Sequence, residues 1–177
     1  MTVPDTELWD AFRQGDRKSF GDLFCRYYPL LFQYGAKLCP DNNVLEDCIQ
    51  ELFLELWQNH SPSEVHSIKA YMLKALRYKI YKTYRRTGNH NMAEVPEDLA
   101  FVLSHESFLI SRQEDQQRTE RILAAIGQLP NREREIIYLR LYQKLTYEEI
   151  IEVMQISYQA GRNLFCRAIK SLREILA

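Results

Sequence analysis

Apolar residues in this chain return every three or four positions along nearly its whole length, and this recurrence restricts the fold more than any other feature. No stretch of strand length shows sustained β-branched alternation. Glycine and proline are scarce, six of each in 177 residues, and several mark apparent boundaries. The expected fold class is therefore all-α. A first helix is predicted over about Asp5 to Arg13, ending near Gly15, and a second over about Lys18 to Leu38. Pro29 inside the second is expected to kink it. Further helices are predicted over about Asn43 to Gln58 and Ile68 to Arg86, with a polar loop from Asn59 to Ser67 between them.

The pattern weakens from Thr87 to about Gln113, where Gly88, Pro96 and the acids Glu94, Glu97, Asp98 and Glu106 gather. This segment reads as an acidic linker, with one short helix near Phe101 to Leu109. Helix resumes from about Glu114 to Leu129. Another starts at Pro130 and runs to about Gln143. Two more are predicted over Thr146 to Met154 and Ser157 to Leu176. The layout is two small helical domains, 1–86 and 114–177, joined by the linker 87–113.

Composition narrows the class further. Hydrophobic residues at 46% allow a buried core, while a net charge of −1 makes total charge uninformative about nucleic acid. No apolar run is long enough to span a membrane, and the polar, acidic N-terminus is not expected to be a signal peptide. Cys25, Cys39, Cys48 and Cys166 form no C-x-x-C pair, and the histidines show no ligand spacing with them. Buried, reduced thiols in a cytoplasmic protein are the expected reading, with no metal and no cofactor.

The C-terminal end carries a distinct constellation. Thr146-Tyr147-Glu148-Glu149 has capping-box spacing, Gln155-Ile156-Ser157 reads as a tight turn, and Ser157 can cap the final helix. On that helix Ala160, Leu164 and Ala168 form an inner stripe, widened by Phe165, Ile169, Leu172 and Leu176. Tyr158, Gln159, Arg162, Asn163, Cys166, Arg167 and Lys170 fall on the other side. Two short helices with a polar, basic second one describe a helix-turn-helix. Gln and Asn can pair with adenine, Arg with guanine and Lys with phosphate. A plain amphipathic helix with a solvated face is the competing reading. Capped helix, short turn and basic second helix together favour DNA.

Upstream, the helix from Lys69 to Arg86 carries seven basic residues and no acid, interleaved with Tyr71, Tyr78, Tyr81 and Tyr84. Cations neutralise phosphates and aromatic faces stack on unpaired bases, so single-stranded nucleic acid is a candidate ligand. The alternative is an aromatic buried stripe with a solvated basic face, which leaves the missing acids unexplained. The preceding helix has the opposite polarity, with Glu46, Asp47, Glu51 and Glu55. No histidine joins them, so a protein-binding or solvated face is favoured over a metal or catalytic site.

These motifs together resemble a sigma factor of the extracytoplasmic-function group, in the sigma-70 family of RNA polymerase sigma factors. One anchor is Glu46-Asp47-Cys48-Ile49-Gln50-Glu51-Leu52-Phe53-Leu54-Glu55-Leu56-Trp57, similar to the family's region 2.2. The other is similar to region 4. It is Leu129-Pro130-Asn131-Arg132-Glu133-Arg134-Glu135, then Leu145 to Ile150, then Arg167 to Arg173. The Tyr158-Gln159 start and the segment Asn163 to Lys170 resemble sigma factors of Bacteroidetes-type bacteria.

The resemblance implies core RNA polymerase and promoter DNA as partners, and an anti-sigma factor, membrane-bound in related proteins. It implies no small-molecule substrate and no enzymatic activity. Asp47, Gln50, Glu51 and Glu55 would contact the polymerase. Asn59, His60 and Ser61, with Lys74, Arg77, Tyr78 and Lys82, would serve the −10 element. Tyr158, Gln159, Arg162, Asn163, Arg167 and Lys170 would read the −35 duplex, and the acidic linker would lie along the polymerase channel. One departure stands out: family members commonly carry a β-branched residue where this chain has Gly161. A free-standing helix-turn-helix regulator explains the C-terminal half equally well but not the upstream motifs. A nuclease using the third helix's carboxylates has no second ligand set in the sequence.

Overall fold

Local capping sets where helices begin and end in the computed structural model, which describes residues 3–59, 65–87, 100–103 and 116–177. Helix α1 (Asp5–Arg13) stops where Gly15 takes a positive φ of 89° and Asp16 donates back to the carbonyl of Ala11 at 3.1 Å. Asp16 then caps α2 (Arg17–Leu38), its carboxylate accepting from the Ser19 N–H at 2.8 Å and the Ser19 hydroxyl at 2.6 Å. Those hydrogen bonds hold the Asp16 carboxyl below its ordinary pKa. Helix α2 runs through Pro29 without interruption. Helices α3 (Asn42–Asn59) and α4 (Ile68–Thr87) complete the first of two compact units, Met1–Glu94.

The core of this unit is built from one face of each helix. Phe12, Leu23, Leu31, Tyr34, Leu45, Ile49, Leu52, Leu73 and Leu76 are buried almost completely. Burying one such side chain stabilises by roughly 1.5–3 kcal/mol, and α2 supplies the spine on which the others converge. At Gly35 of α2 three helices meet closely. A Cβ there would lie 2.2 Å from Cδ1 of Leu45 on α3 and 3.2 Å from Cδ2 of Leu76 on α4. A rim of aromatic rings, with Phe20 and Trp57 at 5.0 Å and Phe24 and Phe53 at 4.8 Å, closes the α2–α3 edge.

The second unit, Val95–Ala177, contains α5 (Gln116–Gly127), α6 (Asn131–Ile137), α7 (Tyr147–Met154) and α8 (Tyr158–Leu176). The helix expected from Pro130 to Gln143 is α-helical only to Ile137 and continues as a π-helical turn over Tyr138–Tyr142. The Gln143 N–H donates to the Tyr138 carbonyl at 3.0 Å, and the Gln143 side-chain amide donates to the Tyr138 hydroxyl at 2.8 Å. One residue pair thus satisfies the wider turn twice, leaving the buried Gln143 amide bonded.

Part of the predicted linker is not free chain. Phe101 is buried, its ring centroid 5.5 Å from that of Tyr138, and its carbonyl accepts from Arg134 Nη1 at 2.7 Å. Residues 100–103 carry no helix, so the short helix predicted near Phe101 does not begin there; its remainder lies outside the described residues. The cysteine expectation also needs correcting. Cys39 and Cys48 are buried, but Cys25 and Cys166 are exposed, because each points off its helix's apolar stripe. Among the described residues no helix is long and apolar enough to cross a membrane.

Two measurements check the first unit. Trp9 and Trp57, the chain's two tryptophans, both lie in it, so tryptophan fluorescence reports it alone. Replacing Gly35 by Ala gains about 1 kcal/mol of helix propensity but overpacks a filled core, at about 1–3 kcal/mol. Because Leu45 and Leu76, which crowd this point from two helices, are both fully buried, the fluorescence-detected Tm of Gly35→Ala is expected to fall. An unchanged or higher Tm would show propensity winning. Lys37 is buried too, which pulls its ammonium from 10.5 down to about 8. Between those values the unfolded chain holds more protons than the folded one, so stability rises with pH. The urea midpoint is expected to climb from neutral pH to about pH 9.5 in the wild type and to lose this rise in Lys37→Met.

Candidate nucleic-acid interface

The helix-turn-helix forms from the capping residues identified in the sequence. The Thr146 hydroxyl accepts from the Glu149 N–H at 3.3 Å, and the Glu149 carboxylate accepts from the Thr146 N–H at 2.7 Å, closing the capping box. Helix α7 ends with Gln155 in the left-handed region, φ 52°, and the Ile156 N–H returns to the Ile151 carbonyl at 3.2 Å. Ser157 then caps α8 by accepting from the Ala160 N–H at 3.2 Å.

Helix α8 turns Tyr158, Gln159, Arg162, Asn163, Cys166, Arg167 and Lys170 to solvent. All six predicted −35 residues therefore share one exposed face. Gln159 Nε2 donates to Asn163 Oδ1 at 2.9 Å, which orients both amides and leaves each with further donors and acceptors. Arg167 leans toward the buried Glu133 of α6 at 3.9 Å, and Lys170 toward Glu174 at 3.8 Å. The inner stripe is Gly161, Leu164 and Ala168. Ala160, expected in that stripe, is exposed and edges a cleft of about 410 Å³ shared with Pro130, Arg132, Glu133 and Leu164. Leu176 is likewise exposed, because the last turn of α8 runs past its neighbours.

In the first unit, α3 presents Asp47, Gln50, Glu51 and Glu55 on its exposed side, all four residues predicted for partner binding. Leu54 stands among them, 55% exposed. The sequence reading missed it, although a leucine off the apolar stripe and flanked by acids is a legible signal of a wet apolar contact. Phe53 is core and Trp57 half-buried.

Helix α4 departs from expectation more. Tyr78 and Lys82 are exposed and Lys74 is half-buried, but Arg77 is buried, donating to the Tyr81 hydroxyl at 3.0 Å with its guanidinium 4.6 Å from that ring's centroid. It cannot meet a ligand in this conformation. Lys79, also buried, pairs with Glu55 at 2.7 Å and Glu51 at 3.3 Å. The acids missing from α4 are thus supplied by α3, and part of the basic excess is structural. Asn59 is exposed at the end of α3, beside a cleft of about 250 Å³ lined by Leu52, Glu55, Leu56, Tyr71, Ala75 and Lys79. His60 and Ser61 lie outside the described residues.

The family model "Sigma-70 region 2" matches residues 23–90 and "Sigma-70, region 4" matches residues 119–172. The chain is 25% identical over 157 residues to "RNA polymerase sigma factor SigZ" of Bacillus subtilis (strain 168), covering 88% of this chain and 85% of that protein. Its fold is like that of CnrH, solved in complex with the cytosolic domain of CnrY, at a TM-score of 0.63 and 20% identity, over 97% of this chain and 96% of that one. It is also like the sigma factor RpoE, solved with the anti-sigma factor NepR from Bartonella quintana. There the TM-score is 0.62 and the identity 20%, over 90% of this chain and 97% of that one.

The turn between α7 and α8 can be tested directly. Gln155 holds a positive φ that costs an L-residue about 1 kcal/mol and glycine almost nothing. Glycine's greater unfolded-state entropy offsets about 0.4–1 kcal/mol of this, so Gln155→Gly is expected to stabilise the second unit by up to about 0.6 kcal/mol. Melting followed by far-UV circular dichroism measures it, and a lower Tm would show that the Gln155 side chain contributes more than the strain it bears.

Proposed function

The chain belongs to the sigma-70 family of RNA polymerase sigma factors, in its extracytoplasmic-function group, and from that membership we propose how its two units divide the work. The protein binds core RNA polymerase and directs promoter-specific initiation of transcription. The observation that carries the division is that two separate family regions are matched on one chain, with the exposed row of α8 inside the second.

In this reading α3 docks on the polymerase through Asp47, Gln50, Glu51 and Glu55 around Leu54. Acids at such a face steer association and set orientation, while the exposed leucine supplies apolar area. Tyr78 and Lys82 of α4, with Lys74 and the segment Asn59-His60-Ser61, serve the −10 element. Phosphate contacts come from the lysines and stacking from the tyrosine. Arg77 acts from behind, holding Tyr81 in the core. Helix α8 enters the major groove at the −35 element. Gln159, Arg162 and Asn163 face base edges there, and Tyr158, Arg167 and Lys170 face the backbone.

The chain works in the cytoplasm and contributes no catalytic group, cofactor or small-molecule site; the polymerase does the chemistry. Its linker lies along the polymerase channel. An anti-sigma factor, membrane-bound in the simplest arrangement, holds the protein inactive by covering these faces. Support for that partner is the likeness to RpoE, solved with an anti-sigma factor. A free-standing regulator gives the exposed α3 row no task.

The two units should fail separately. Replacing both Asp47 and Leu54 by Ala is expected to weaken binding to core RNA polymerase by roughly tenfold or more in a pull-down titration. Replacing Gln159 and Arg162 by Ala should leave that binding intact while abolishing −35-dependent run-off transcription. Tight duplex binding by the isolated chain, with no association with core polymerase, would favour the free-standing regulator.

A further inference from the structure

Glycine is a poor residue for the interior of a helix, so Gly161 in the first turns of α8 calls for a steric reason. The structure supplies one. A Cβ at Gly161 would lie 2.9 Å from Cγ2 of Ile151 on α7 and 3.6 Å from Cδ1 of Ile156 in the turn. Carbon atoms in contact sit about 3.5–4.0 Å apart, so the first of these is too short by roughly 0.6–1 Å. The methyl cannot swing away cheaply. It is attached to the branched Cβ of an isoleucine in a helix, where one χ1 rotamer is strongly preferred. Ile151 therefore occupies the space that a side chain at 161 would need, and α8 lies against α7 at the distance this exchange permits.

We propose that the Ile151–Gly161 contact sets the angle and depth at which α8 presents its base-reading row, making Gly161 a positioning residue for −35 selectivity. The inference rests on α8 being the −35 reader. Gly161 adjoins Arg162, stands two residues from Gln159 and Asn163 and three from Tyr158. The Gly161 N–H bonds the Ser157 carbonyl at 2.9 Å, tying it to the helix cap, so a shift at 161 moves the whole reading row with it. Hydrogen bonds to base edges span only about 2.7–3.2 Å between heavy atoms, so a displacement of roughly 0.6–1 Å breaks a bidentate contact. Because the contact is between side chain and backbone, it can be relieved from either side.

The test uses the full chain reconstituted with core RNA polymerase. Wild type, Gly161→Ala, Ile151→Ala and the double variant each select from duplex libraries randomised at the −35 element, with circular dichroism melting in parallel. For Gly161→Ala, discrimination against single −35 mismatches is expected to fall about tenfold, with unchanged −10 preference. Adding Ile151→Ala should recover most of it. A folded Gly161→Ala protein with wild-type discrimination overturns the proposal, and so does a loss that Ile151→Ala fails to recover. If Gly161→Ala does not fold, Ile151→Ala alone decides. Removing the wall should relax −35 discrimination, and an unchanged preference refutes the idea. A wild-type chain that never joins core polymerase defeats the −35 assignment and this inference together. That outcome is distinct from a normal wild type with an indifferent Gly161→Ala.

Discussion

Close approach of helix backbones at glycine is the constraint on which both units depend. Short amphipathic helices bury enough area only if they come near one another, and interaxial distance follows the side chains at the contact. In the first unit Gly35 lets α2 meet Leu45 of α3 and Leu76 of α4 at one point. In the second, Gly161 lets α8 close on Ile151 of α7. Neither glycine has a positive φ, so each serves by lacking a side chain rather than by backbone freedom.

Charge is shared between fold and function in the same way. A helix rich in lysine and arginine looks like a nucleic-acid surface, yet Arg77 and Lys79 are buried and matched, one to Tyr81 and the other to Glu51 and Glu55. Glu51 and Glu55 remain more than half exposed, so the same carboxylates hold α4 to α3 and stay available to a partner. Arg167 repeats the arrangement in the second unit. Its guanidinium reaches toward buried Glu133, which also accepts from Ser171, while most of its side chain stays in water. Exposed pairs of this kind stabilise little by themselves. Their effect is to restrict where a long side chain can point.

The helical elements were legible in the sequence. Ends predicted for α1 to α4, α7 and α8 agree with the structure to within a residue or so, because capping residues act over three or four positions. Thr146 and Ser157 each do what their spacing indicates. The outer row of α8 was legible for the same reason. Less legible were the π-helical turn at Tyr138–Tyr142 and the burial of Phe101, which depend on partners at Gln143, Arg134 and Tyr138. Leu54 was visible, off the apolar stripe of its helix, but was given no role.

By itself, then, the sequence determined what is local: an all-α chain, its helix boundaries, a helix-turn-helix and the two family regions that name its activity. Tertiary structure alone decided which charges are available to ligands and why Gly161 is tolerated. The physical reason is range. Periodicity and capping are settled within one or two turns of a single helix. Whether Arg77 faces water or Tyr81, and whether position 161 has room for a methyl, is settled by which other helix packs against it.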